Sequence, residues 1–267
     1  MSELLLRHKA PDARGLVHRV TPESAGWNYV GFELYRLQPG QSVEEATGER
    51  EACLVLVGGR ADVAAGGQRW ENIGERAGPF DKAKPYSVYV AWHDHWRITA
   101  RTPLELAVCT APGGDGFATR LIPPEEVAAS VRGKGTNVRY VHDILPEGKP
   151  AHSLLVVEVI TPGGHWSSYP SHKHDQDNLP EESLLEETYY HRIDPPQGFA
   201  FQRVYTDDRS LDQSMAVEDG DVVLVPRGYH PCAAAHGYDL YYLNVMAGPK
   251  RIWRFHNEPA HAWLLKA

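Results

Sequence analysis

The sequence has little basic charge, no long hydrophobic run and no pattern of paired cysteines. Its 267 residues carry 27 Lys and Arg against 35 Asp and Glu, for a net charge of −8. A nucleic-acid-binding protein usually shows a basic excess, so we expect no nucleic-acid partner. No apolar run reaches the roughly 18 residues that a membrane-spanning helix needs. Residues 1–15 also lack the apolar core of a signal peptide, and we therefore expect a cytoplasmic protein without a membrane partner.

The three cysteines, Cys53, Cys109 and Cys232, are scattered and have no CxxC spacing. We therefore expect neither a disulfide framework nor a zinc ribbon. Cys232 follows His230 closely and offers a soft metal ligand, but a small buried thiol in a strand is the interpretation we prefer. The 14 histidines are a high count, and they are where we look for chemistry.

Helix signals are few, and short apolar runs between Gly and Pro residues predict strands. The best helix candidate is 123–132, with Pro and Glu residues at its start and Gly133 as a stop signal. We expect the aromatic segment 251–267 to pack back onto the protein. The predicted strands lie within 52–58, 86–92, 105–110, 152–160, 221–226 and 238–246.

The length fits one large domain or two of about 130 residues. The segment from Pro123 to Thr136 is the best linker candidate, because strand-rich halves of similar size flank it. We predict an N-terminal domain over 1–130 and a C-terminal domain over 131–267, with an all-β fold in both.

A candidate metal site lies in the second half. Residues two apart on a strand share a face, so His172 and His174 can present both imidazoles to one ion while Lys173 points away. The pair Glu186–Glu187 follows on a predicted strand, and His230 follows the tight turn after another. Such a mixed nitrogen and oxygen ligand set leaves positions open for substrate, as catalytic divalent sites do.

This order of residues resembles the cupin superfamily. Gly220, Pro226, Gly228 and His230 match the second cupin motif closely. The interval from His174 to Glu187 is longer than the family usually allows, which predicts an inserted loop and leaves the choice between Glu186 and Glu187 open.

Longer strings resemble the bacterial 5-deoxy-glucuronate isomerases of myo-inositol catabolism, over essentially the whole chain. That family is related to the 4-deoxy-5-threo-hexosulose-uronate ketol-isomerases, two-cupin proteins with zinc in the C-terminal cupin and a ligand in an E-x-Y context. That context maps onto Glu187–Thr188–Tyr189 and favours Glu187. The similar strings are 138–146, 167–193, 225–231 and 238–249.

The resemblance implies a bicupin of two β-barrels that isomerises 5-deoxy-D-glucuronate to 5-dehydro-2-deoxy-D-gluconate through a metal-stabilised enediol. It implies one divalent ion, with zinc expected and manganese or iron as alternatives. The ligand set that it implies is His172, His174, Glu187 and His230.

The reaction also needs a base and a partner for the substrate carboxylate. Glu187 can serve as ligand, as base or as both, and Tyr189 and His191 share its face of the strand. Packing inside the barrel is the alternative role for these two. For the carboxylate, Arg203, Arg192 and Arg227 are candidates between which the sequence does not decide.

A second HxH motif, His93–Asp94–His95, lies in the first half without Glu and His partners at cupin spacing. We interpret it as structural or inter-domain and the N-terminal domain as a structural or dimerising partner, so we expect a homo-oligomer that binds a small sugar acid. Three alternatives remain: another uronate cupin such as the hexosulose-uronate ketol-isomerase, a cupin dioxygenase, and a sugar-acid-binding cupin without activity.

Overall fold

The computed structural model describes residues 2–81 and 83–266. A four-residue α-helix, α1 (Pro22–Ala25), and short 3-10 helices at Pro124–Glu126, Gly135–Asn137 and Pro259–Leu265 interrupt an otherwise β structure. In this described part of the chain, no helix is long and apolar enough to cross a membrane. The strands are β1 (Leu5–Leu6), β2 (Leu16–Val20), β3 (Gly31–Leu37), β4 (Ser42–Ala46), β5 (Arg50–Gly58), β6 (Ala61–Ala65), β7 (Gln68–Ile73), β8 (Ser87–Val90), β9 (His95–Ala100), β10 (Leu104–Pro112), β11 (Arg120–Ile122), β12 (Ala128–Arg132), β13 (Arg139–Leu145), β14 (Leu155–Thr161), β15 (Trp166–Ser167), β16 (His172–Lys173), β17 (Asp175–Asn178), β18 (Glu182–Leu184), β19 (Glu186–Asp194), β20 (Phe199–Tyr205), β21 (Asp212–Glu218), β22 (Val222–Val225), β23 (Cys232–Ala234), β24 (Asp239–Ala247) and β25 (His256–Asn257). Each of the six predicted strand regions contains a strand.

The chain forms two compact units. The N-terminal unit comprises Lys9–Ala128 and His142–Val157, and the C-terminal unit comprises the segment up to His8, Ala129–Val141 and the chain from Glu158 onward. The chain enters the N-terminal unit after His8 and leaves it between Ala128 and Ala129, close to the predicted boundary at 130. These units differ from the predicted division in the segment up to His8 and in 142–157, and the division into 1–130 and 131–267 stays a prediction.

Asp221 is the reason that the N-terminal segment belongs to the C-terminal unit. This buried carboxylate accepts a hydrogen bond from Arg7 Nη1 at 2.7 Å and one from the His8 backbone N–H at 2.9 Å. Leu5 and Leu6 pair with Val223 and Val222 on β22. Nothing in the local sequence predicts a pairing across more than two hundred residues.

The N-terminal unit has an apolar interior. Its sheets have the strand orders β11-β8-β5-β10-β3-β2 and β4-β9-β6-β7. Side chains from both sheets, among them Leu54, Val63, Trp96 and Leu106, form one buried cluster. Aliphatic and aromatic side chains thus fill the interior of this unit.

The C-terminal unit has a polar interior. Its larger sheets have the orders β1-β22-β19-β24-β14-β13-β12 and β15-β23-β20-β21. Directly paired residues of antiparallel strands share a face. The pairs Glu187–Met246, Tyr189–Asn244 and His191–Tyr242 of β19 and β24 therefore line one side of the interior.

The helix predicted over 123–132 is wrong beyond one turn. A 3-10 turn covers Pro124–Glu126, and Ala128–Arg132 is a strand at the edge of the seven-stranded sheet. Pro123 supplies no side-chain cap, and Val127 is already extended. A single uncapped turn is too short to be stable as a helix, so sheet pairing prevails.

The C-terminal segment packs back in part, as expected. His256 and Asn257 pair with Lys173 and His172, and the Glu258 N–H donates to the Ser171 carbonyl at 2.9 Å. The aromatic side chains of this segment are less buried than expected, since Trp263 is 64% exposed.

Glu51 is a buried carboxylate in the N-terminal unit with a structural role. Its Oε1 accepts from the backbone N–H groups of Ser153 and Leu154 at 2.7 and 2.6 Å, and its Oε2 accepts from that of His152 at 2.8 Å. The hydroxyl of Tyr89 also donates to Oε2. Glu51 thereby fixes the segment 152–154.

We expect Glu51→Gln to lower the free energy of unfolding by about 2–4 kcal/mol, because the amide nitrogen would face N–H donors and leave them unsatisfied. Urea denaturation measures this loss. Glu49→Gln is the matched control, since the Glu49 side chain is 80% exposed, and its effect should stay within about 0.5 kcal/mol. Equal stability of Glu51→Gln and the wild type would contradict the structural role.

Candidate metal centre and active site

The long interval between His174 and Glu187 is a β-hairpin. Asp175 pairs with Leu184 and Asn178 with Glu182. The Leu185 N–H donates to the His174 carbonyl at 2.9 Å, which closes the base of the hairpin. The hairpin returns the chain to the point where Glu187 meets the histidines, and its origin as an insertion stays a prediction.

The hairpin and two strand ends bring three histidines together. One ring nitrogen each of His172, His174 and His230 lies within 4.8 Å of the other two. The ring of His230 is 5.0 Å from each of the other two rings. His174 and His230 are almost fully buried, whereas His172 is partly exposed.

A backbone carbonyl orients each of these rings. His174 Nδ1 lies 3.1 Å from the Leu185 oxygen, His230 Nδ1 lies 2.8 Å from the Gly228 oxygen, and His172 bonds the carbonyl of Pro170. A ring nitrogen that donates to a carbonyl leaves the other nitrogen with its lone pair, which is the arrangement found in metal-binding histidines.

Glu187 lies beside two of these histidines. Its Oε2 is 3.1 Å from His174 Nε2 and 3.2 Å from His230 Nε2. Glu186 is adjacent on β19, so its side chain leaves the opposite face of the strand. The geometry thus favours Glu187 over Glu186, in line with the sequence-based choice.

The donor set fits a divalent cation. His230 Nε2 is buried, and although it lies 3.2 Å from Glu187 Oε2 it makes no hydrogen bond to a described residue. In the tautomer set by Leu185, His174 Nε2 presents a lone pair to a carboxylate oxygen, which requires a proton or a cation between them. Three imidazoles and one carboxylate form the mixed ligand set that zinc, manganese and iron accept.

Burial controls the protonation of the histidines. It lowers the pKa of His172 well below its usual value and that of His230 to about 4. Burial acts on His174 in the same sense, but the hydrogen bond and charge of Glu187 outweigh it and raise the pKa of His174. His172 and His230 are therefore neutral at pH 7, the form that binds a metal.

Lys173 points away from the histidines, as strand alternation predicts. Its Nζ lies 2.9 Å from Asp175 Oδ1 and 3.2 Å from Asp207 Oδ2. These ion pairs hold the hairpin base and explain why this lysine does not enter the site.

Tyr189 and His191 continue the face of β19 that carries Glu187. The Tyr189 ring is 5.8 Å from that of His230, and its hydroxyl bonds Ser168 Oγ at 2.9 Å. His191 lies next to it, with 5.7 Å between the ring centres, and its Nε2 is 2.9 Å from Gln202 Oε1. The structure thus places both candidates in the same interior, and their chemical roles stay predictions.

Burial and the charge of Glu187 raise the pKa of Tyr189 well above its usual value, so Tyr189 remains a hydrogen-bond donor. Burial lowers the pKa of His191 to about 4, so its ring is neutral. The His191 Nδ1 is buried without a hydrogen-bond partner among the described residues, and it is available as an acceptor.

The three arginines predicted to bind the substrate carboxylate do not lie with the histidines. Arg203 is on the exposed face of β20, with Nη2 2.6 Å from Asp212, and it is the interior-facing Gln202 beside it that bonds His191. Arg192 leaves β19 on the face opposite His191 and pairs with Asp219 at 2.7 Å. Arg227 is exposed. The ion pairs of Arg203 and Arg192 and the exposure of Arg227 do not support this role, and the assignment stays a prediction.

Sequence reasoning missed several interior residues. Tyr242 contacts the rings of Tyr189 and His191 at 4.9 and 6.0 Å, and its hydroxyl bonds Ser167. The alternation of Tyr242 and Asn244 along β24 was an available signal, but it does not say which face is interior. Arg139 was also missed, because β13 joins the sheet beyond β14.

The remaining candidates lie outside the group. His93 and His95 are exposed, and His93 Nε2 is 3.4 Å from Glu49. In the described ranges, the group of three histidines is the one cluster of suitable ligands, and neither residue belongs to it. Cys232 is buried and pairs with Ser167 and Gln202, which agrees with a packed thiol.

Known proteins are similar to this protein over nearly its whole length. The 5-deoxy-glucuronate isomerase of Geobacillus kaustophilus (strain HTA426) is 58% identical over 267 residues, 100% of this chain and 97% of that protein. A crystal structure of an IolB-like protein from Salmonella typhimurium LT2 has a TM-score of 0.96 at 53% identity and covers 99% of this chain and 100% of that one.

A distant structural relative confirms the fold. The oxalate decarboxylase of Lactobacillus farciminis has a TM-score of 0.65 at 15% identity and covers 100% of this chain and 91% of that one. The predicted all-β bicupin fold is confirmed. The KduI/IolB family matches residues 4–264. The chain therefore belongs to the KduI/IolB family.

Proposed function

We propose that this protein is an aldose–ketose isomerase that converts 5-deoxy-D-glucuronate to 5-dehydro-2-deoxy-D-gluconate with one divalent metal ion. His172, His174, Glu187 and His230 would hold the ion. Zinc is the metal we expect, with manganese and iron as alternatives. A cytoplasmic homo-oligomer that binds neither nucleic acid nor membrane is the accompanying prediction.

The buried group of His172, His174 and His230 beside Glu187 carries this proposal. Family membership and the names of the full-length relatives support the substrate. The unpartnered Nε2 of His230 supports a bound cation, because a buried polar atom without a partner is costly unless a ligand satisfies it.

The reaction moves a proton from C2 to C1 of the sugar while the carbonyl moves from C1 to C2. A divalent ion in this site would polarise the substrate carbonyl and stabilise the negative charge that develops on oxygen. Glu187 is the carboxylate at the site and is the base we propose for the proton transfer. Tyr189, whose pKa burial raises well above its usual value, would donate a hydrogen bond to a substrate oxygen.

We expect the metal-loaded protein to convert 5-deoxy-D-glucuronate at the same rate with and without dioxygen, because an isomerisation consumes no oxidant. An anaerobic assay combined with metal analysis measures this. Removal of the metal by a chelator should abolish turnover, and adding zinc, manganese or iron back should identify the ion that restores it.

Each alternative function gives a different result in the same assay. A strict need for dioxygen and iron would indicate a cupin dioxygenase. Binding of the sugar acid without conversion would indicate a binding module. Preferred turnover of 4-deoxy-5-threo-hexosulose-uronate would indicate the related ketol-isomerase activity.

A further inference from the structure

Arg139 is a half-buried arginine at the start of β13 whose guanidinium lies beside the loop that leads to His172. Its Nη1 donates to the carbonyl of Asn137 at 3.1 Å and to that of Tyr169 at 3.4 Å. The next carbonyl, that of Pro170, orients the ring of His172. The guanidinium is therefore fixed to the same loop that positions a proposed metal ligand.

The positive charge of Arg139 acts on three interior side chains from three different strands. These side chains are His172 on β16, Cys232 on β23 and Tyr242 on β24. A charge that reaches all three residues faces the interior that they line.

No described carboxylate forms an ion pair with Arg139, in contrast to Arg192 and Arg203. Its two hydrogen bonds both use Nη1, and Nε and Nη2 have no hydrogen bond to a described residue. The Nε–Nη2 edge of a guanidinium binds a carboxylate through two parallel hydrogen bonds. Arg139 thus presents a preoriented, unused carboxylate-binding edge.

Gly133 leaves room for this guanidinium. A Cβ atom at position 133 would lie 2.9 Å from Arg139 Nη1 and would also clash with the Asn137 carbonyl. The backbone of Gly133 has a φ of +82°, which other residues rarely adopt. The turn before β13 therefore requires glycine at this position, and the guanidinium of Arg139 packs against it.

We propose that Arg139 binds the carboxylate at the C6 end of the substrate and so determines the preference for a uronate over a neutral sugar. The proposal rests on the proposed isomerase function, in which the metal group engages the C1 end of the same carbon chain. It replaces Arg203 and Arg192, which lie elsewhere, as the residue for this role.

The test compares Arg139→Met with the wild type on two substrates, 5-deoxy-D-glucuronate and 5-deoxy-D-glucose, in which a hydroxymethyl group replaces the carboxylate. We expect kcat/KM for the uronate to fall roughly 10²–10³-fold and that for the neutral sugar to change less than about fivefold. Arg139→Lys should retain part of the uronate rate. The ratio of the two kcat/KM values does not depend on the fraction of folded enzyme, so partial misfolding does not affect it.

Two controls separate this role from a structural one. Arg203→Met should leave the ratio unchanged, and the metal content of Arg139→Met should equal that of the wild type. Added methylguanidinium should restore part of the uronate rate, but not the neutral-sugar rate, in Arg139→Ala. An unchanged ratio in Arg139→Met, with the wild type active on the uronate, would overturn the role of Arg139 alone. A wild type that converts neither sugar would overturn the proposed function and this assignment with it.

Discussion

His230→Ala should contain no tightly bound metal and should lose at least about 10³-fold in kcat/KM for the sugar acid, because a catalytic metal contributes several kcal/mol of transition-state stabilisation. His230 supplies a buried Nε2 with no other partner, and Gly228 fixes the ring so that this nitrogen faces Glu187. Metal analysis of the purified variant and initial rates measure the two effects. His172→Ala and His174→Ala should behave in the same way.

His95→Ala is the matched control for these variants. It belongs to the other HxH motif, and its side chain is exposed on the N-terminal unit. We expect it to keep the wild-type metal content and activity. A His230→Ala protein with a full equivalent of metal, or a His95→Ala protein without metal, would contradict the proposed ligand set.

Glu187→Gln, assayed at saturating metal, should lose roughly 10²–10⁴-fold in kcat, because the amide cannot accept the proton from C2. The substitution keeps the shape of a side chain whose Oε2 lies 3.1 and 3.2 Å from two histidine nitrogens. In D2O, the wild type should place some deuterium on the carbon that was C1 of the substrate, to an extent set by how well the site shields the base. A hydride shift would introduce no solvent label.

Glu186→Gln is the matched control, since it changes the neighbouring carboxylate on the opposite face of β19. We expect it to retain metal, activity and deuterium incorporation. If Glu187→Gln retains its metal and most of its activity, Glu187 is not the base, and Tyr189 or His191 takes that role. Loss of metal in Glu186→Gln but not in Glu187→Gln would reverse the ligand assignment.

Strand alternation explains what the sequence predicted of this site. A period of two residues puts His172 with His174, and Glu187 with Tyr189 and His191, before any tertiary contact is known. The turn before His230 adds the last proposed ligand. These residues are local in the chain, and their grouping follows from strand geometry together with the cupin order of motifs.

Which arginine faces the interior could not be predicted from the sequence. Arg203 and Gln202 are neighbours on β20, and their side chains leave opposite faces of the strand. The alternation of faces does not say which of the two side chains points into the interior. Arg139 is on β13, which lies next to β14 and, beyond it, β24 in the sheet. This order depends on long-range strand pairing, for which the local sequence gives no signal. The predicted helix at 123–132 failed for a related reason, because pairing at a sheet edge outweighed a weak helix propensity.

The length of the hairpin between His174 and Glu187 can change without a change in the position of either residue. Its base is closed by the contacts of His174 with Leu185, so residues added or deleted near Pro180 alter the tip without moving either proposed ligand. Sequence spacing alone is then a poor guide to these two proposed ligands, because the length of the hairpin does not set the distance between them. We therefore expect a fluorescent label or a recognition peptide inserted at the tip to leave the proposed ligands in place.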